Sequence, residues 1–261
     1  MAIKLKSLSE IEAMRKAGLL LWETHQLAAS MVEPGITTAE IDAAVDHFIV
    51  SNNALPLFKG VPGAYPFPNA TCISLNEHVV HGLPSERKLR EGDIISLDIG
   101  IKLDGWCSDA AVSYPVGEIK KEYQQLLTTT EDILRYAIQQ MGTAQRWSEI
   151  SNKMQEMAET AGFSVVRELV GHAIGREMWE TPQVPNYYAH DLPDFRLQPG
   201  LVLAVEPMIN AGLRDVVLLS DQWTIATLDD KPSAHFEHTI AITEHGVQVL
   251  TCGPNGEGWA M

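Results

Sequence analysis

Cysteine and basic residues are scarce in this sequence. Its three cysteines, Cys72, Cys107 and Cys252, are scattered over 261 residues, and they suffice neither for a disulfide framework nor for a cysteine-based zinc site. We therefore expect a reducing compartment, the cytoplasm. Nineteen Lys and Arg stand against 34 Asp and Glu, which gives a net charge of −15. Because this charge repels nucleic-acid backbones and anionic membrane surfaces, we expect no nucleic-acid partner and no membrane partner.

A long apolar run is also missing near the N-terminus. The apolar residues 19–22 follow several charged residues and are too few for a signal sequence or a membrane span. The composition, 45% apolar and 20% charged residues, is typical of a soluble globular protein that can bury a full core.

Residues 94–116 predict a β-hairpin that carries two carboxylates on one face. Both arms are rich in strand-forming residues, and Asp104-Gly105 favours a type I′ turn, whose two central residues need positive φ. In the resulting register Asp98 faces Ala111, and Asp109 is the diagonal neighbour of Asp98. Two like charges side by side are destabilising unless a cation lies between them. From the hairpin alone, a solvated polar face and a metal site both remain open.

The remaining chain predicts four helices and several short strands. Capping boxes at Ser7 and Thr37 open amphipathic helices that end near residues 32 and 52, and two more helices follow over residues 123–140 and 148–160. Residues 56–69 are rich in Pro and Gly and predict a loop whose aromatic residues dock onto the body. Residues 71–84 predict one short strand that leads to the hairpin.

The order of these elements repeats along the chain. Two helices, a loop, Leu-x-x-Gly and an apolar strand occur twice, since Gly200 minus Gly92 is 108 and Glu206 minus Asp98 is also 108. We therefore expect a single domain over residues 1–261, built from halves of about 8–117 and 118–252. Each half has a carboxylate at the matching strand position.

Three further residues are ambiguous when each is taken alone. Glu206 ends an apolar strand, where a carboxylate is expensive to bury unless it is paired or bound to metal. Glu237 lies in a strand-like segment and would alone be a surface residue on an edge strand. His172 is flanked by glycines at 171 and 175, and a lone histidine there is more often structural.

Taken together, these residues resemble the ligand set of a known family. Asp98, Asp109, His172, Glu206 and Glu237 occur in the order found in the type I methionine aminopeptidases. The segments CISLNEHVVHGLP, SLDIG, CSDAA, GHAIG, VEPMI and HFEHTIAIT also look like that family's blocks. The resemblance spans residues 7–250. It implies an α+β pita-bread fold with two pseudo-symmetric halves, in which helices cover a curved antiparallel sheet.

The resemblance also implies an activity, the removal of the N-terminal methionine from nascent proteins and peptides whose second residue is small. A metal-bridging hydroxide would attack the first peptide bond. Asp98 and Asp109 would hold one ion, His172 and Glu206 the other, with Asp109 and Glu237 as bridges and Glu206 also as the general base. Four carboxylates and an imidazole suit two divalent ions, Co²⁺, Mn²⁺, Fe²⁺ or Zn²⁺.

The resemblance also implies some of the residues that would bind the substrate. By resemblance His81 would be catalytic and would contact the scissile amide. An apolar pocket for the methionine side chain would be lined by Phe67, Cys72, Met178 and Trp223, with Tyr65 as the alternative to Phe67.

The sequence departs from the family at one position. Seven residues after His172 the family has a second histidine that helps to position the substrate, and here Trp179 stands there. Trp offers one N–H donor and no acceptor. The enzyme would then be slower, use the Trp179 indole as its donor, or prefer an altered substrate, and His190 would replace the lost group only if a loop folds back.

Two other functions remain open at this point. A proline-specific aminopeptidase of the same fold is one, although such enzymes generally have an extra N-terminal domain and this chain begins its first helix near residue 8. A weakly active or non-catalytic binding protein is the other, because of Trp179. We expect a monomer.

Overall fold

The computed structural model describes residues 3–258, in which four helices and fifteen strands are found. The helices are α1 Leu8–Ser30, α2 Thr38–Ser51, α3 Lys121–Gln140 and α4 Trp147–Thr160. The strands of the first half are β1 Leu55–Pro56, β2 Thr71–Leu75, β3 His78–Val80, β4 Ile94–Leu103 and β5 Trp106–Pro115. Those of the second half are β6 Ser164–Val165, β7 Gly171–Ala173, β8 Glu180–Val184, β9 Val202–Val205, β10 Met208–Asn210, β11 Val216–Leu218, β12 Ile225–Thr227, β13 Ser233–His235, β14 Glu237–Thr243 and β15 Gly246–Val249.

Both predicted capping boxes are confirmed. The Glu10 carboxylate accepts from the backbone N–H of Ser7 at 2.9 Å, and Glu40 accepts from that of Thr37 at 2.8 Å. Each box pairs donors that the first helical turn leaves without an intrahelical partner, which is worth about 1 kcal/mol per cap. Local sequence therefore fixes where α1 and α2 begin.

A curled antiparallel sheet of nine strands is the centre of the fold. Its strand order is β1-β4-β5-β14-β9-β7-β8, with β2 paired to β4 and β15 to β14. The predicted hairpin is confirmed: Leu103 pairs with Trp106, and the φ angles of Asp104 and Gly105 are +51° and +81°. Two three-stranded sheets, β13-β10-β6 and β11-β12-β3, complete the structure.

The two faces of the main sheet have different roles. On β4 the side chains of Leu97 and Ile99 pack into an apolar cluster with Leu21 of α1 and Ile41 of α2. In the second half, a corresponding cluster joins α3 and α4 to β9 and β14. Burying one such Leu or Ile stabilises the fold by roughly 1.5–3 kcal/mol. The helices thus cover one face, and the other face is left to Asp98 and its neighbours.

The two halves match in structure as well as in sequence. The helices α2 and α4 both have 14 residues, and their first residues differ by 147 minus 38, or 109. The bridge Thr37↔Lys88 in the first half corresponds to Arg146↔Arg196 in the second. Both Leu-x-x-Gly segments end in a glycine with φ near +90°.

Two expectations from the sequence are wrong. Residues 71–84 form two strands, β2 and β3, because Asn76 turns the chain with a φ of +52°. Glu237 does not lie on an exposed edge, because β14 pairs with β5 on one side and with β9 on the other. Within residues 3–258, no helix is long and apolar enough to cross a membrane.

Candidate metal centre and substrate cavity

Five neighbouring strands of the main sheet each bring one predicted ligand to the same site. In spatial order these strands are β4, β5, β14, β9 and β7. The corresponding residues are Asp98, Asp109, Glu237, Glu206, which directly follows β9, and His172. Residues that lie up to 139 positions apart in sequence, 237 minus 98, are therefore collected on one face by strand pairing alone.

Strand register explains how the carboxylates meet. Ala111 of β5 pairs with Asp98 on one side and with Glu237 on the other. Side chains directly opposite one another share a face of the sheet, so only the alanine methyl group lies between these two carboxylates. Asp109, two residues earlier on β5, points to the same face. The Thr239 hydroxyl accepts from the backbone N–H of Asp109 at 3.0 Å and donates to its carbonyl oxygen at 2.8 Å.

His172 is held with one ring nitrogen towards the carboxylates. Its Nδ1 lies 3.1 Å from the carbonyl oxygen of Ala173. A carbonyl only accepts, so Nδ1 carries the proton and Nε2 is left with a free lone pair. Nε2 lies 3.7 Å from Oε1 of Glu206 and 3.9 Å from Oδ2 of Asp109. The preceding Gly171 allows this placement, because a Cβ there would lie 2.4 Å from the carbonyl oxygen of Ala204.

The spacing and chemistry of these groups fit divalent cations. Ligand atoms of Asp109, His172 and Glu237 all lie within 4.8 Å of one another. One oxygen each of Asp98, Asp109 and Glu237 is buried and has no hydrogen-bond partner among residues 3–258. Buried carboxylate oxygens are costly unless they are hydrogen-bonded, paired or bound to metal.

Electrostatics lead to the same conclusion. Burial, with Glu206 nearby, raises the pKa of Asp98 to about 7 although His235 opposes the rise, and burial raises the pKa of Glu206 to about 7. Burial and the neighbouring carboxylates raise the pKa values of Asp109 and Glu237 well above their ordinary range. Four carboxylates that repel one another in a dry site need positive charge to be ionised together. The residues therefore fit the metal ions that the sequence predicts.

The ligands line a cavity of about 470 Å³, and one wall of this cavity is apolar. Phe67, Cys72 and Met178 are buried in one cluster, and Trp223 packs against it, with the Phe67 and Trp223 ring centroids 5.1 Å apart. Cys72 on β2 pairs with Asp98 on β4. The apolar wall therefore begins directly beside the predicted ligands.

His81 also lines the cavity, just after β3. Its φ angle is +57°, a left-handed conformation that costs a non-glycine residue of order 1 kcal/mol or more and that clusters at functional sites. Burial, with His235 nearby, lowers the pKa of His81 to about 4. Its imidazole is therefore neutral at pH 7 and offers one donor and one acceptor.

The structure also locates the residues whose roles the sequence left open. Phe67 lies in the apolar wall, whereas Tyr65 is 40% exposed and contacts Trp223 edge-on, with ring centroids 6.2 Å apart. Trp179 borders the cavity and is 57% exposed, so it stands at the mouth. His190 is exposed beside Tyr188, with ring centroids 4.1 Å apart, so it does not take the place of the missing histidine.

One histidine that lines the cavity was missed from the sequence. His235 is 1% exposed and lines the cavity, with Nε2 3.7 Å from Oε2 of Glu206. It stands two positions before Glu237, and the alternation of side chains along a strand was the available signal.

Known proteins resemble the chain over most of its length. The model of metallopeptidase family M24 matches residues 12–244. The methionine aminopeptidase 1 of Bacillus subtilis is 46% identical over 246 residues, 94% of this chain and 98% of that protein. A crystal structure of the Thermotoga maritima methionine aminopeptidase superposes with a TM-score of 0.90 at 40% identity, and covers 96% of this chain and 99% of that one.

A more distant structure shares the fold alone. The prolidase from Pyrococcus furiosus is 20% identical with a TM-score of 0.72, over 95% of this chain and 65% of that one. The α+β pita-bread fold expected from the sequence is thereby confirmed.

Proposed function

Because this chain belongs to metallopeptidase family M24, we propose that it releases the N-terminal methionine of nascent proteins and peptides whose second residue is small. It is a metallo-exopeptidase. The observation that carries the proposal is the convergence of four carboxylates, three of them buried, and one imidazole on the wall of one cavity. The resemblance in sequence extends over the whole of that site.

The ligand set is proposed to hold two divalent ions. Asp98, Asp109, His172, Glu206 and Glu237 would hold these ions, and by the resemblance Asp109 and Glu237 would be shared between them. The balance of charge supports two ions. Two dications neutralise four ionised carboxylates, whereas a single dication would leave two of them uncompensated in a buried site. Oxygen-rich ligands with no thiolate suit Mn²⁺, Fe²⁺ or Co²⁺ at least as well as Zn²⁺.

Glu206 is proposed as the general base that takes a proton from the attacking water and delivers it to the leaving amine. The chemistry that such ions supply is polarisation of the scissile carbonyl and activation of a water at neutral pH. Glu206 lies on the cavity wall, with Oε1 towards His172 and Oε2 towards His235. A general base must reach the proton that it removes and then deliver it to the leaving amine, and Glu206 is a carboxylate at the boundary between the ligands and the cavity.

The substrate is proposed to bind with its side chain in the apolar wall. Phe67, Cys72, Met178 and Trp223 offer rings and sulfur atoms to a thioether, contacts worth roughly 0.3–1.5 kcal/mol each. Burial, with Asp98 and Asp109 nearby, raises the pKa of Cys72 well above its ordinary value, so its thiol stays neutral and acts as a small apolar group. His81, which is neutral at pH 7 and also lines the cavity, is proposed to contact the scissile amide.

Trp179 is proposed to reduce or redirect catalysis. A 57% exposed indole at the mouth provides its single donor from outside the buried part of the site. Losing a buried donor to the oxyanion typically costs on the order of 10² to 10³ in rate. The enzyme is then slower than relatives with a histidine there, or accepts different second residues.

The remaining expectations are also proposals. Residues 1–261 are proposed to form one catalytic domain whose halves, about 8–117 and 118–252, each contribute ligands to the shared site. A net charge of −15 and three free cysteines support a cytoplasmic monomer.

Competing peptides test the proposed function against its alternatives. The protein, stripped with a chelator and reloaded with Mn²⁺, should release methionine from Met-Ala-Ser and leave Ala-Pro-Ser uncleaved. Cleavage of Ala-Pro-Ser alone would indicate a proline-specific enzyme. Cleavage of neither, with no Mn²⁺ bound, would indicate a non-catalytic binding protein.

A further inference from the structure

His235 is a buried histidine in the cavity that neither the ligand set nor the substrate pocket explains. Its side chain lines the cavity but is only 2% exposed, so it offers little surface to a substrate. Neither ring nitrogen has a hydrogen-bond partner among residues 3–258. A buried histidine without such a partner costs free energy, so its position calls for a physical reason.

The backbone of His235 is firmly held. His235 ends β13, where it pairs with Met208 of β10. The Ser113 hydroxyl accepts from its backbone N–H and donates to its carbonyl oxygen, both at 2.9 Å. Ser96 Oγ lies 2.7 Å from Ser113 Oγ and donates to it, because the Ser113 proton is already committed. The hairpin that carries Asp98 therefore also fixes the backbone from which this imidazole projects.

The ring of His235 faces the carboxylate of Glu206. Nε2 lies 3.7 Å from Oε2 of Glu206, while Oε1 of the same carboxylate lies 3.7 Å from Nε2 of His172. Each oxygen of Glu206 thus faces a different imidazole. Two other ionisable residues, Asp98 and His81, are close enough for His235 to lower their pKa values.

We propose that His235 is a positioning residue for Glu206, whose Oε2 accepts a hydrogen bond from Nε2–H of His235 so that Oε1 is directed towards His172 and the metal ligands. The 3.7 Å separation becomes a hydrogen bond after a shift of less than 1 Å, as catalytic hydrogen bonds commonly tighten in the loaded site. Partners of this kind orient ligating carboxylates, and their loss typically costs 10–100-fold in metal affinity or activity. The inference rests on the proposed function of Glu206.

Two substitutions at the same position separate positioning from packing. His235→Leu fills similar space without a donor, and His235→Gln places an amide N–H near the position of Nε2. His47→Leu, on the exposed side of α2, is the matched control. For each protein we would measure Mn²⁺ binding to the metal-free form by calorimetry, kcat and KM on Met-Ala-Ser, and Tm.

The expected result is a loss that the amide restores. His235→Leu should weaken Mn²⁺ binding or lower kcat by about 10–100-fold with KM within about twofold, since Glu206 and not the substrate is misplaced. His235→Gln should recover most of that loss, and His47→Leu should match the unsubstituted protein.

Three outcomes would overturn the inference. The first is unchanged Mn²⁺ affinity and kcat in His235→Leu, and the second is an equal loss in the Leu and Gln variants with a lowered Tm, which indicates packing. The third is a raised KM at unchanged kcat, which indicates substrate contact. Failure of the proposed function is distinguishable, because an unsubstituted protein that does not release methionine still yields binding isotherms that compare the variants.

Discussion

Replacing Glu206 by Gln should stabilise the metal-free protein while abolishing its activity. The substitution keeps the size of the side chain and removes its charge. Burial raises the pKa of the Glu206 carboxyl from 4.5 to about 7, which means that its ionised form costs about 3 kcal/mol relative to water. Without metal, the ionised Glu206 therefore destabilises the folded state, whereas a neutral Gln does not.

The size of the effect depends on pH in a defined direction. A carboxyl whose pKa is raised by folding destabilises the fold most at pH values above the folded pKa, and the penalty shrinks as pH falls towards the unfolded pKa. Glu206→Gln should therefore gain up to about 3 kcal/mol at pH 8 and about 1 kcal/mol at pH 5.5. At roughly 2–4 °C per kcal/mol for a chain of this size, Tm at pH 8 rises by about 6–12 °C.

Metal should narrow this difference in stability. At 100 times its Kd, Mn²⁺ stabilises the protein that binds it by about 2.7 kcal/mol, which nearly offsets the roughly 3 kcal/mol that the variant gains at pH 8, and the variant lacks one ligand. The assay is scanning calorimetry of both proteins at pH 8 and pH 5.5, with and without Mn²⁺, together with methionine release. Glu23→Gln, on an exposed position of α1, is the control and should change stability by less than about 0.5 kcal/mol. A metal-free Glu206→Gln that is less stable at pH 8 would contradict the raised pKa of Glu206, and a metal-loaded variant that keeps its activity would contradict the role of Glu206 as general base.

Three other perturbations give separate outcomes. Asp109→Ala should leave a folded protein, by circular dichroism, that binds little Mn²⁺ and releases no methionine, because it removes a ligand proposed to be shared; retained activity would exclude the two-ion site. Trp179→His should raise kcat/KM on Met-Ala-Ser by up to about 10², and an unchanged value would show that the tryptophan is functionally silent. The unsubstituted metal-free protein should be more stable at pH 7 than at pH 8.5, because burial raises the pKa values of Asp109 and Glu237 well above their ordinary range. The folded state then binds more protons than the unfolded chain, and its stability falls with rising pH by at most about 1.4 kcal/mol per extra proton and pH unit. Saturating Mn²⁺ should remove that dependence, and higher stability at pH 8.5 without metal would contradict the raised pKa values.

The parts of the fold that depend on local chemistry were predictable from the sequence. Asp104-Gly105 has the turn residues that set the hairpin register, and this register alone puts Asp98 and Asp109 on one face. The capping boxes set the starts of α1 and α2 for the same reason. In each case, residues within a few positions of one another decide the structure.

Features that depend on long-range pairing were not predictable from local pattern. Glu237 is buried because β14 inserts between β5 and β9, and nothing within the segment itself distinguishes that place from an edge. His235 joins the site because Ser113, 122 residues earlier, holds its backbone. For the ligands, resemblance to a family compensated for this lack of information, and for His235 it did not.

The five residues on neighbouring strands are proposed to hold the metal ions of a methionine aminopeptidase. The most direct test is a titration of the chelator-stripped protein with Mn²⁺, in which bound metal per chain and methionine release from Met-Ala-Ser are followed together. We predict that activity appears as metal binds and that the bound metal approaches two ions per chain. A protein that binds no Mn²⁺, or that binds two ions and releases no methionine, would contradict the proposed metal site.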